Sequence, residues 1–408
     1  MPEINAGDTA WVLASSALVM LMTPALGFFY GGLVRGKNAL STIMHSFFIL
    51  ALISVTWVLW GYTLAFGPDK SGLIGGLEYL GFKGVGGEPL PGMTIPHSAF
   101  AVFQLMFAAI TPALITGAFA ERKRFKAMVV FTLLWTTLVY SPLAHWVWAA
   151  GGWLYDYGAM DFAGGTVVHI SSGISALVCA LVLGKRVGFG TEKMDPHNIP
   201  FVVLGAGLLW FGWFGFNAGS ALGANGTAAN AFVVTNVAAA SGALTWMTVT
   251  WIRHGHPSVL GAAAGAVAGL VGITPAAGYV SPASAIVIGF GAGLFCSLAV
   301  EFLKGKLGVD DALDVFAVHG VGGIWGALAT GLFADSSING IGSDGLFFGN
   351  PDQLVKQIVA VAATIAFAGV ATFIILKVVD LTIGLRVPES EEVLGLDSTT
   401  HGEMAYQL

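Results

Sequence analysis

Asp161-Phe-Ala-Gly-Gly-Thr-Val-Val-His169 and Asp311-Ala-Leu-Asp-Val-Phe-Ala-Val-His319 each place a histidine eight residues after an aspartate, inside an otherwise apolar segment. The first continues Ile-Ser-Ser-Gly173 and the second Gly-Val-Gly-Gly323. Asp, His and Gly therefore all repeat at an offset of 150 residues (161 to 311, 169 to 319, 173 to 323). Titratable side chains within apolar runs are costly and mark function. A matched pair of them points to a duplicated membrane fold whose halves meet at a polar site.

The rest of the chain fits a membrane protein. Hydrophobic residues make up 56% of it, charged residues only 10%, and its mean hydropathy is +0.80. A soluble domain carries about a quarter charged residues. Apolar runs of about 20 residues, long enough to cross a bilayer as helices, recur along the whole length. The chain reads as an all-α polytopic membrane protein, one bundle over 1–408. Its net charge of −6 sits in loops and identifies no partner. Cys179 and Cys296 lie in apolar segments and read as packing residues. The first apolar run has no basic region before it, so no cleaved signal peptide is expected. One sequon, Asn225-Gly-Thr227, is present.

Eleven spans are expected, at 9–33, 39–66, 98–120, 125–148, 161–184, 199–219, 227–251, 257–276, 281–303, 312–333 and 354–385. Basic residues orient them. Arg35 and Lys37 follow span 1, and Arg122, Lys123, Arg124 and Lys126 follow span 3. Lys185, Arg186 and Lys193 follow span 5, Arg253 follows span 7, and Lys304 and Lys306 follow span 9. Lys377 and Arg386 end span 11. These are 14 residues, against Lys70, Lys83 and Lys356 in the alternate loops. The asymmetry puts the N-terminus outside and the C-terminus in the cytoplasm.

Five spans followed by five more place the second set upside down. The expected organisation is a first repeat over 9–184, an inverted second repeat over 199–333, helix 11 over 354–385 and a cytoplasmic tail over 386–408. Asp161 then opens span 5 at the outer face, and Asp311 opens span 10 at the inner one. Eight helical residues rise about 12 Å. In a hydrocarbon core of about 30 Å, His169 and His319 both fall near the midplane. Lateral contact between the rings does not follow from spacing.

Two neutral imidazoles can share one proton and leave a nitrogen on each ring free for a small polar solute. A lone histidine there would as readily be a satisfied core residue. A metal site needs three or four ligands, and no third His, Cys or carboxylate falls at that depth. No nucleophile is placed beside the pair either, so a membrane enzyme is not expected. At the outer mouth, span 4 ends at Trp148 and span 3 carries Phe107. Span 6 runs through Trp213-Phe-Gly-Phe216-Asn217-Ala-Gly-Ser220. Trp148, Phe107, Phe216, Ser220 and Asp161 therefore fall near one entrance. An aromatic face attracts a cation and a hydroxyl accepts one of its hydrogen bonds, although Trp is at home at any membrane interface. Between mouth and midplane the path holds no fixed charge, so K⁺ would lose its hydration with nothing in return. The arrangement suits a solute that arrives charged and crosses neutral.

The chain resembles the ammonium transporter family (Amt/Mep/Rh), on its Amt side. The resemblance rests on Asp8-Thr-Ala-Trp11, Met22-Thr-Pro24, Tyr30-Gly-Gly32, the Asp161-to-His169 motif and the Trp213-to-Ser220 run. It extends to the tail, Gly395-Leu-Asp397-x-x-x-His401-Gly-Glu403-x-Ala-Tyr406. Trp148 favours the Amt over the Rh branch. The resemblance implies a homotrimer in the cell membrane with one pore per subunit. It further implies ammonium recruitment at Trp148, Phe107 and Ser220 supported by Asp161, a gate of Phe107 and Phe216, and a lumen lined by His169 and His319. A PII-type signal protein at the cytoplasmic face is implied as well. Methylammonium is the expected analogue, and no cofactor, metal or nucleic acid is expected. Two other functions remain open on the sequence. One is a Rh-like neutral NH₃/CO₂ channel, which would give no current on ammonium addition. The other is an ammonium sensor signalling through its tail, which would bind ammonium without flux.

Overall fold

The computed structural model describes residues 3–406. The chain forms α1 (Ala6–Leu33), α2 (Gly36–Phe66), α3 (His97–Phe119), α4 (Phe125–Tyr157), α5 (Gly165–Leu183) and α6 (Ile199–Ala221). It continues as α7 (Gly226–His254), α8 (Val259–Ile273), α9 (Pro282–Leu307), α10 (Phe316–Phe333) and α11 (Pro351–Ile383). Among the described residues ten of these are long and apolar enough to span a membrane, while α8 has 15 residues. At about 1.5 Å per residue α8 covers only some 22 Å. Tight turns prolong it, with Thr274 N–H donating to Val271 O (3.2 Å) and Tyr279 N–H to Ala276 O (2.8 Å). A small hairpin, β1 (Asp69–Lys70) and β2 (Ile74–Gly75), lies between α2 and α3.

Helix starts follow ordinary capping chemistry. Asn5 caps α1 by accepting from Asp8 N–H (3.0 Å), Asn198 caps α6 from Phe201 N–H (3.0 Å), and the sequon residue Asn225 caps α7 from Ala228 N–H (3.0 Å). Proline at the first turn opens α9 and α11.

Small residues determine which helices touch. A Cβ on Gly205 of α6 would lie 2.4 Å from the Phe29 nitrogen of α1, so these two helices cross backbone to backbone. The four-residue glycine spacing in α8 and α9 has the same use. A Cβ on Gly269 would meet Ala238 O at 2.2 Å, and one on Gly289 the same oxygen at 2.3 Å, which clamps α8 and α9 onto α7. Cys179 and Cys296 are buried, unpaired packing residues. The outer surface exposes Phe47, Leu244, Ile252 and Leu381, the apolar coat expected where lipid replaces water.

Loops sort to the two ends as the basic-residue count requires. Arg35 pairs with Glu121 (2.6 Å), Arg186 with Asp310 (2.8 Å) and Arg386 with Glu392 (2.7 Å), while Arg124 donates to Arg386 O (2.8 Å). The connections after α1, α3, α5 and α9 thus meet the tail at one end. There Asp397 accepts from Leu40 and Ser41 N–H (3.0 and 2.8 Å) at the start of α2, and Lys37 Nζ donates to Glu392 O (3.0 Å). The tail is folded against the bundle. At the opposite end Thr94 donates to Asp8 (2.5 Å), Trp153 N–H to Gly72 O (3.1 Å) and Gln353 to Gly158 O (3.1 Å).

Two expected boundaries move for one reason. Spans expected to open at 161 and 312 become helical only at Gly165 and Phe316. Gly164 (φ 119°) and Asp314 (φ 61°) hold the left-handed region, which breaks the helix ahead of each histidine. The eight residues from Asp to His are therefore only partly helical, and their rise is less regular than about 12 Å of ideal helix.

Candidate functional site

The site is built by two equivalent devices. In the first, the buried Asp161 carboxylate accepts the backbone N–H groups of Gly164 (2.7 Å), Gly165 (2.6 Å), Thr166 (2.8 Å) and Val167 (3.3 Å), as well as the Thr166 hydroxyl. It satisfies nearly all the orphan donors of the α5 start. The first turn that follows, Gly165–Ile170, is a π-turn that carries His169. In the second device, Asp311 accepts from Phe316 N–H (2.7 Å), again five residues on, and the π-turn Phe316–Val321 carries His319. Such wide turns recur where a helix must aim a functional side chain.

The two helices then cross at reciprocal positions. A Cβ on Gly173 would lie 2.2 Å from the Gly320 nitrogen and 3.0 Å from the His319 carbonyl carbon. A Cβ on Gly323 would lie 3.0 Å from the His169 Cβ and 3.1 Å from the Ile170 Cγ1. Each half's glycine seats the other half's histidine. The rings consequently meet, with Nδ1 to Nδ1 at 3.2 Å and centroids 5.3 Å apart. One Nδ1 donates and the other accepts, so the pair shares one proton. His169 Nε2 is buried without a partner. An unpaired buried polar atom costs about 1–3 kcal/mol, which a small hydrogen-bonding guest would recover.

Aromatic rings continue the line. Phe216 stacks at 6.0 Å from His169, Phe107 lies 4.3 Å from Phe216, and Trp148 meets Phe107 edge-on at 5.9 Å. Phe107 and Phe216 are both about fully buried, at 1% exposure. Beyond them a cavity of about 330 Å³ runs from Phe216 past both histidines to Lys304 and Asp314 at the end where the basic loops gather. Lys304 pairs with Asp314 at 2.7 Å, so the charges at that mouth are matched.

Six of the seven residues singled out by sequence fall along this line or at its rim. Ser220 is half-buried one turn past Phe216, and its hydroxyl donates to Phe216 O (2.8 Å). Asp161 differs in kind: its carboxylate faces the α5 start, and it reaches the rim only through its carbonyl, which accepts from Trp148 Nε1 (3.0 Å). Sequence reasoning did not single out Trp213. It stacks on His169 at 5.5 Å and donates to the Thr274 hydroxyl (2.9 Å). Its position three residues before Phe216 on one helix face was the available signal.

The chain is similar to known proteins over nearly its whole length. The family model described as Ammonium Transporter Family matches residues 10–406. The chain is 56% identical over 402 residues to an ammonium transporter of Bacillus subtilis, covering 98% of each. It is 51% identical over 400 residues to ammonium transporter Amt1 of Archaeoglobus fulgidus, covering 98% of this chain and 99% of the relative. The crystal structure of Saccharomyces cerevisiae Mep2 superposes with a TM-score of 0.90 at 40% identity, covering 100% of this chain and 94% of that one. With the match running through both histidine devices and into the tail, the chain belongs to the ammonium transporter family, a family of multi-pass membrane transporters and not of enzymes.

Proposed function

We propose that the protein moves ammonium into the cytoplasm of its cell by recruiting NH₄⁺ at the rim of Trp148, Phe107 and Ser220 and passing it inward as NH₃. The cation rests against the aromatic faces, where such contacts contribute about 0.5–1 kcal/mol when exposed and more when desolvated. It sheds a proton there, because the buried passage beyond offers no counter-charge. Phe107 and Phe216 act as the gate, and NH₃ then hydrogen-bonds along His169 and His319. The shared proton between the rings fixes both tautomers, so the lumen presents one fixed pattern of donor and acceptor. Asp161 supports recruitment by holding the α5 start and, through its carbonyl, Trp148.

The observation that carries this reading is the unpartnered, buried Nε2 of His169 in a cavity whose charged lining residues are the mutually paired Lys304 and Asp314 at its far end. K⁺ has no proton to lose and is excluded by its dehydration cost. The reading includes an outside N-terminus, a homotrimer with one pore per subunit, and a PII-type protein docking where the tail and basic loops meet.

The test is the double variant His169→Ala with His319→Ala in liposomes, against ammonium, methylammonium and K⁺. Conduction is expected to fall by about tenfold or more, or K⁺ to enter, at the loss of one to two strong hydrogen bonds. Wild-type methylammonium flux with K⁺ still excluded would remove the shuttle role.

A further inference from the structure

We infer that His145 and Asp69 form a hydrogen-bonded latch that positions Trp148, and with it the outer recruitment rim. His145 lies on α4 one turn before Trp148 and is 0% exposed. Its Nδ1 is 2.9 Å from Ala65 O at the end of α2, and its Nε2 is 2.9 Å from Asp69 Oδ1 on β1. A carbonyl and a carboxylate only accept hydrogen bonds. The imidazole is therefore the donor of the bridge, with Nε2–H to the carboxylate.

The latch ties the hairpin to the segment that ends in Trp148. Asp69 Oδ1 also accepts from Gly72 N–H (2.7 Å), Trp146 Nε1 donates to Leu73 O (2.8 Å), and Trp153 N–H donates to Gly72 O (3.1 Å). The bend after Trp148 passes directly over the aspartate: Gly151 has φ 89°, and a Cβ there would lie 2.9 Å from the Asp69 Cβ. Trp148 is thus fixed on one side by its bond to Asp161 O and on the other by this hairpin. The His145 bond holds the Asp69 carboxyl below its usual range. The other charged groups around the pair are Lys70 and Glu78 on the hairpin, which face each other at 3.3 Å. On α2, Tyr62 is engaged with His97 at 2.5 Å.

Losing the carboxylate would leave the Nε2–H of the buried ring without its acceptor and free the hairpin from α4. The inference rests on recruitment at Trp148.

Its test is methylammonium uptake by the full chain in liposomes, with KM and maximal rate measured. Asp69→Ala is expected to raise KM about three- to tenfold with little change in maximal rate, the loss of one hydrogen bond to a carboxylate. Asp69→Asn keeps an acceptor oxygen for the ring and is expected to restore most of the wild-type KM. An unchanged KM in Asp69→Ala, or an Asp69→Asn KM no better than that of Asp69→Ala, would overturn the latch. Trp148→Leu separates the two readings. If it raises KM while Asp69→Ala does not, only the latch fails; if it leaves KM unchanged, recruitment at Trp148 fails and the latch with it.

Discussion

Gly173→Ala is expected to yield little or no folded transporter, whereas its counterpart Gly323→Ala folds and conducts more slowly. The added methyl at 173 would sit 2.2 Å from the Gly320 nitrogen and 2.4 Å from its Cα, both backbone atoms in the turn that carries His319. Backbone cannot rotate aside as a side chain does, so α5 and α10 would have to separate. Their separation would undo the histidine contact and the packing around it. The cost should exceed about 3 kcal/mol, the upper end of ordinary overpacking. At 323 the tightest contacts are the His169 Cβ at 3.0 Å, then Gly165 O and Ile170 Cγ1, both at 3.1 Å. A shift of a few tenths of an ångström relieves those at about 1 kcal/mol, and the shift falls on His169. Thermal melting in detergent, with flux for the variant that survives, measures both. A Gly173→Ala protein that melts with wild type would show that the helices do not cross at this glycine.

Asp161→Ala should be nearly as damaging, and through folding rather than chemistry. It strips the acceptor from four buried backbone N–H groups at the start of α5. At about 1–3 kcal/mol for each donor left dry, the loss should reach about 4 kcal/mol or more with all four dry, and about 2 kcal/mol or more if water reaches two of them. Asp161→Asn keeps one oxygen and should fall between. The measurement is again melting temperature and yield, with uptake assayed only on correctly sized protein. An Asp161→Ala protein of wild-type stability that no longer transports would instead make the carboxylate a direct participant in proton removal.

The helices were readable because apolar length and charge asymmetry act over tens of residues. Arg35, Arg122, Arg186 and Arg386 lie in connections that meet at one end, with Lys304 in the last turns of α9, and no single boundary error disturbs that. The local breaks were not readable. An apolar run from 161 to 184 looks helical throughout, because neither the Asp161 cap nor the left-handed Gly164 alters hydropathy. α8 is shorter than its expected span because Thr274–Tyr279 turns on itself while remaining apolar. At the site, the offset of 150 located the histidines but not their contact. Lateral approach depends on Gly173 and Gly323, whose meaning appears only once the helices cross. His145 and Asp69 stayed hidden because they are 76 residues apart and lack a repeat partner.

Both histidines sit in π-turns, and that constrains how the gene can change. A π-turn holds one residue more than an α-turn, and each residue of a helix is worth about 100° of rotation. Losing one residue within 165–170 or 316–321 would swing a ring from its partner toward lipid or toward a neighbouring helix, even with every side chain retained. Substitutions in these turns are tested one atom at a time, but a change of length is tested by the whole downstream helix. Insertions and deletions separating members of such a lineage should therefore collect in the connections, and the two turns should keep their length long after their letters diverge.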